Sequence, residues 1–172
     1  MERMLFFIIT YVVSIYSFNI QSAGGGPISF NQYAGKKILL VNIASASSKV
    51  DQLAELQQLH STFGDTLSIV VFPSNSFGNE PLSNEAIVNF CQQNYGVTFP
   101  IASKSDLIGT SKHPIYEWLN KADLNGSANW EVRGDFTKFL VDEQGEVVGV
   151  FAPNIHVTDS TFQSAIRKNY NF

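Results

Sequence analysis

The chain has 172 residues, 44% of them hydrophobic and 15% charged, with a net charge of -4 and one cysteine. Cys91 alone excludes a disulfide-held scaffold, and with His60, His113 and His156 scattered along the chain there is no short-spaced ligand set for structural zinc. A pI near 5.3 leaves no cluster of Lys and Arg to displace counterions from a phosphate backbone, so nucleic acid is set aside as a partner.

The N-terminus has Arg3 ahead of an apolar stretch from Leu5 to Tyr16, interrupted only by Thr10 and Ser14 and followed by small residues. This pattern reads as a signal peptide over residues 1–22, cleaved near Ser22 or Ala23, since the stretch is shorter than the roughly 20 residues of a spanning helix. The rival is an uncleaved N-terminal membrane anchor. Removing the segment takes Glu2 and Arg3 together, so the exported part keeps its charge of -4. One domain, 23–172, remains, with Gly24-Gly25-Gly26-Pro27 as a flexible lead-in and the fold expected to start near Ser29.

Lys37 to Ala44 is a nearly continuous apolar run, as in a strand buried on both faces. From Val50 the period changes, and Leu53, Leu56, Leu59 and Phe63 mark an amphipathic helix ending near Gly64. Leu67 to Phe72 is a second buried strand, broken by Pro73. Ser83 is the expected N-cap of a helix carrying Ala86, Ile87, Phe90 and Cys91 on one face and stopping at Gly96. Pro114 opens a shorter helix through Trp118. Phe136 to Val141 and Val147 to Phe151 form a hairpin about Asp142-Glu143-Gln144-Gly145, read as a solvated turn, and Asp159 opens a terminal helix. Two strands joined by a helix, with an antiparallel pair added later, predict an α/β, thioredoxin-like domain with a central mixed sheet flanked by helices.

The residues themselves resemble the glutathione peroxidase family. The matching blocks are Gly35-Lys36-Lys37 leading into LLVNIAS (39–45), FPSNSFGNEP (72–81), SNEAIVNFCQQNYGVTFP (83–100), HPIYEWL (113–119) and DFTKFLVDEQGEVVGVFAP (135–153). They follow the family's order and spacing from about Phe30 onward. The hairpin that precedes the first core strand in the family has little room between the expected signal and Lys36.

The resemblance implies chemistry built on a peroxidatic cysteine or selenocysteine in a segment like VNVASxCG, a glutamine in FPCNQFG and a Trp-Asn pair before FTKFL. The nucleophile attacks the peroxide O–O bond and becomes a sulfenic or selenenic acid that a second thiol reduces. In this chain the nucleophile position carries Ser47, the glutamine position Ser76, with Ser74 at a further cysteine position, and the Trp-Asn pair is Gly134-Asp135. All four active positions differ. An alkanol stays protonated where a thiol titrates and has no sulfenic-like oxidation state, so Ser47 is not expected to turn over peroxide. Nor is an acyl-transfer role expected, because the resemblance places none of the three histidines near Ser47 as a base. Asp135 is a candidate acceptor for Ser47 or Ser76, and Trp130 is read as covering the domain edge.

Cys91 is the one thiol available for redox work, and its helix is where thioredoxin-dependent members carry a resolving cysteine. Its place one turn from Ile87 reads as buried and inert. His113 is expected to make a helix-entry hydrogen bond, and Asn125-Gly126-Ser127 is an acceptor sequence for N-glycosylation. The expectation is an exported family member, periplasmic or secreted, degenerate for peroxide reduction, with no cofactor and no metal. The alternative is residual thiol-dependent peroxidase activity in the response to oxidative stress through Cys91, with glutathione or thioredoxin as partner. Membrane contact is expected only if the N-terminal segment is uncleaved.

Overall fold

The structure, a computed structural model, describes residues 12–170. Two short strands, β1 (Asn19–Gln21) and β2 (Pro27–Ser29), form an antiparallel hairpin, with Ile20 opposite Ile28. Then follow β3 (Lys37–Ile43), α1 (Gln52–Phe63), β4 (Leu67–Pro73), α2 (Asn84–Tyr95), α3 (Pro114–Asn120), α4 (Ala122–Asn125), β5 (Lys138–Val141), β6 (Val147–Phe151) and α5 (Ser160–Arg167). The four-stranded sheet runs β4-β3-β5-β6, with β3 parallel to β4 and antiparallel to β5.

β3 and β4 are buried along their whole length because both sheet faces are covered. Leu39, Val41 and Ile43 pack with Leu53, Leu56 and Leu59 of α1 and with Phe162 of α5. The alternate residues Ile38 and Leu40 face the N-terminal hairpin and α3, among Ile20, Phe30, Ile115 and Trp118. Helix ends follow their expected signals. The Ser83 hydroxyl accepts from Ala86 N, and Gly96 is left-handed at φ +63°. Of the four residues expected on the buried face of α2, Ile87 and Cys91 are buried, whereas Ala86 and Phe90 are only partly covered. His113 caps α3, its Nδ1 accepting from Ile115 N at 3.2 Å.

The described fold includes residues ahead of the expected start near Ser29. Ile15 is fully buried, Val13 N donates to Leu124 O, and Trp118 Nε1 donates to Val13 O at 2.6 Å. Residues 13–22 are therefore part of the fold, and the hairpin that seemed to lack room occupies the expected end of the signal and the glycine-rich lead-in. The polarity of Asn19, Gln21 and Ser22 masked it, because a three-residue strand shows only one inward side chain. Residues 1–11, which hold most of the apolar stretch, lie outside the described residues. Among the described residues no helix is long and apolar enough to cross a membrane.

The turn at Asp142 is also less solvated than expected. Asp142 is buried, its Oδ1 accepting from Gln144 N and Glu146 N, and Glu143 pairs with the buried Lys37 at 2.5 Å. The amide of Asn125 is a structural knot. Its Nδ2 donates to Trp118 O, Leu119 O and Ala128 O, and its Oδ1 accepts from Ser127 N and Ala128 N. The nitrogen that would carry a glycan is thus buried and occupied. Asn125→Ala should lower stability by about 3 kcal/mol, as carbonyls and amides left unpaired in the interior each cost about 1–3 kcal/mol. Thermal denaturation measures this, and intact mass of the folded protein made in a glycosylating host should show no glycan at Asn125.

Candidate functional site

The loops at the C-terminal ends of β3 and β4, together with the turn entering β5, bring the family-matched positions to one end of the sheet. Ser47 lies between β3 and α1, where Ser47 N donates to Ala44 O and Val50 N to Ser47 O. Its hydroxyl accepts from Lys49 N at 3.3 Å, and the residue is 5% exposed. Ser74, wholly buried after β4, donates through its hydroxyl to Ser76 Oγ at 2.9 Å. Ser76 Oγ also accepts from Leu107 N at 2.9 Å, so this hydroxyl is tied to the loop before α3 rather than to Ser47.

Asp135 does not serve as acceptor for either serine. Its Oδ2 accepts from Asn79 Nδ2 at 2.6 Å, and its buried Oδ1 makes no hydrogen bond among the described residues. Asn79 O in turn accepts from Ala46 N, so Asn79 bridges the Ser47 loop to Asp135. The next residue, Glu80, is buried and accepts from Ser45 N at 2.8 Å, Ser45 Oγ at 2.7 Å and Leu82 N at 3.1 Å. Sequence reasoning gave neither residue a role. Both lie inside the matched block FPSNSFGNEP (72–81), but only the fold shows which loop they hold. Three N–H and O–H donors on one carboxylate fix the loop rigidly without any need for reactivity.

Gly134 sits at φ +137° and Phe136 at φ +67°, a turn in which a non-glycine residue is strained at both positions. Gly134 O accepts from Asn42 Nδ2 and Thr137 Oγ1. The position matching the family's tryptophan thus has a backbone suited to glycine. Trp130 does not take its place. It is partly buried and packs against the core on the hairpin-and-α3 side of the sheet.

None of the histidines is hydrogen-bonded to Ser47. His113 is spent on its cap, with burial holding its pKa below the ordinary value. His60 stands edge-on to Phe99, and His156 pairs with Glu55 at 2.7 Å. Cys91 is 1% exposed, and burial, reinforced by the charge of Glu80, pushes its thiol up to about 12. Lys138 is also buried, donates to Phe136 O, and is pushed down to about 8 by desolvation. Among the described residues no cluster of three or more His, Cys, Asp or Glu could hold a metal.

A parallel β3–β4 pair linked by α1, an antiparallel β5–β6 pair on the other side and helices on both faces define the thioredoxin-like class. A thioredoxin-family thiol:disulfide interchange protein from Chlorobium tepidum matches this fold with a TM-score of 0.59 over 91% of this chain and 97% of its own, at 17% identity. The family model described as glutathione peroxidase matches residues 15–120. The chain is 38% identical over 144 residues to the "glutathione peroxidase homolog BsaA" of Bacillus subtilis, covering 83% of this chain and 90% of that one. The structure titled "Trgpx in apo form" gives a TM-score of 0.65 at 27% identity, over 90% of this chain and 94% of the other. The chain belongs to the glutathione peroxidase family.

Proposed function

We propose that this protein is an exported member of the family that no longer reduces peroxide and acts as a binding or structural module. The observation that carries the reading is the hydroxyl of Ser47 where the family's chemistry needs a thiolate or selenolate. The surroundings support it: Ser76 is tied to Leu107, Asp135 to Asn79, and Gly134 offers no side chain. Peroxide reduction requires the nucleophile to accept an oxygen atom and become a sulfenic or selenenic acid, which serine oxygen cannot do. The purified protein should consume hydrogen peroxide no faster than its heat-denatured control, with either glutathione or thioredoxin as reductant. Sustained turnover would refute this reading.

The competing reading, residual thiol chemistry at Cys91, meets the burial of that side chain. A thiol with pKa near 12 is almost wholly protonated at pH 8, and the thiolate is the reactive form. In native protein at pH 8, a thiol reagent should label Cys91 at least about a hundredfold more slowly than in denaturant. Fast native labelling that peroxide pretreatment blocks would favour the enzyme.

Export is inferred from the apolar stretch beginning at Leu5. Because Ile15 and Ile20 are core residues, the packing favours retention of residues 13–22 over cleavage near Ser22, so that any cleavage falls ahead of Val13.

A further inference from the structure

The alternation along β5 sets Lys138 on the face that carries Phe136 and Leu140, between the sheet and the helices α1 and α5. A charged side chain is out of place there. Lys138 is 0% exposed, its Nζ donates to the neutral Phe136 O at 2.8 Å, and among the described residues it forms no ion pair. An ammonium ion buried without a paired charge keeps much of its desolvation penalty, so the geometry by itself favours the neutral amine. Desolvation is the largest influence and brings the amine down to about 8; Glu55 on α1 and Asp159 at the head of α5 favour the charged form, and Lys49 opposes it.

Two elements cover this face, and the C-terminal one has the smaller hold. α1 buries Gln52, Leu53, Leu56 and Leu59, whereas α5, with eight residues, buries Phe162 and Ile166. The Phe162 ring stands 4.8 Å from that of Phe151, the cross-strand partner of Lys138. The segment leading into α5 is fastened to α1 by Gln52 Nε2, which donates to Pro153 O at 2.9 Å, and by His156 Nδ1, which pairs with Glu55 Oε1 at 2.7 Å. Pro153 also covers the turn into β5, since a Cβ on Gly134 would lie 3.4 Å from its ring. Lifting this one segment uncovers Lys138 and the turn together and leaves the β4-β3-β5 pairing in place.

We propose that the segment from Pro153 to Arg167 is a pH-sensitive cover over Lys138 and the Gly134–Phe136 turn, opening when Lys138 is protonated and closing when it is neutral. The device does not depend on whether Ser47 reacts. Once uncovered, the amine regains water and an ordinary lysine value of about 10.4, so the open form holds the proton more tightly and acid shifts the population towards it. Hydrogen exchange of the full-length protein tests this, read at the α5 amides from Gln163, which donates to Asp159 O, to Lys168, which donates to Ser164 O, and corrected for the intrinsic rate at each pH. The opening constant should fall about tenfold between pH 7 and pH 9. In Lys138→Met, which is similar in length and carries no charge, that fall should disappear; the difference between the two proteins isolates Lys138 from Glu55, Asp159, Lys49 and His156. A direct reading on the wild type, from the Lys138 Cε–Hε resonances, should give a midpoint near pH 8. A midpoint near the ordinary lysine value, or an opening constant that falls equally in Lys138→Met, overturns the proposal. Should the variant not fold, wild-type exchange that stays level across the Lys138 midpoint overturns it as well.

Discussion

A chain beginning at Ala23 should fail to fold cooperatively. It lacks Ile15 and Ile20, which are 0% and 6% exposed, and full burial of such a side chain contributes about 1.5–3 kcal/mol. It also removes the β1 ladder and leaves the buried Trp118 Nε1 without its acceptor, at a cost of about 1–3 kcal/mol. The sum is on the order of 5–8 kcal/mol against a typical total of about 5–15 kcal/mol. Thermal unfolding followed by near-UV circular dichroism should show a sharp transition for a chain beginning at Val12 and none for the shorter one. N-terminal sequencing of the exported protein should accordingly begin no later than Val13. A cooperative melt for the shorter chain would show that residues 13–22 are dispensable and would restore cleavage near Ser22.

Ser47→Cys should give a position that reacts with peroxide once. The exchange is nearly isosteric, so the fold should survive. The new thiolate would attack one peroxide oxygen, release the other as water or an alcohol, and become a sulfenic acid that a carbon-nucleophile trap records by mass. Turnover should remain low. The neighbouring positions carry Ser76, Gly134 and Asp135 instead of the donors the resemblance implies, and a carboxylate near a thiol disfavours the thiolate. The trapped product should form about tenfold faster for each pH unit up to at least about 8.5, where an ordinary thiol is half ionised. Wild-type protein should give no adduct. Full catalytic turnover in the single variant would show that the partners at the other three positions matter little, whereas no adduct would show that peroxide does not reach this loop.

Much of the fold is legible in the sequence because the elements are strongly patterned. The continuous apolar runs at 37–44 and 67–72 become β3 and β4, and the three-and-four spacing of Leu53, Leu56 and Leu59 becomes the buried stripe of α1. Caps at Ser83 and His113 are equally local, since each depends on the backbone within three residues. The N-terminal hairpin was not legible. Its strands have three residues each, too few for a period, and its apolar neighbours continue a stretch that also fits a signal. The role of α4 and Asn125 was hidden for another reason: an Asn-Gly-Ser triplet reads alike whether its amide faces solvent or three carbonyls.

The sequence alone determined which chemistry Ser47 can supply, because replacing sulfur by oxygen changes an atom's pKa and oxidation states wherever it is placed. It also raised the question of the lone cysteine. Only the tertiary structure decided how that thiol behaves, since its pKa near 12 comes from burial at the α2 face and the nearby charge of Glu80, 11 residues earlier in the chain. The tertiary structure likewise decided that Asp135 answers to Asn79 instead of Ser47. Composition is a property of residues, but solvation, hydrogen-bond partners and local charge arise only when distant segments meet.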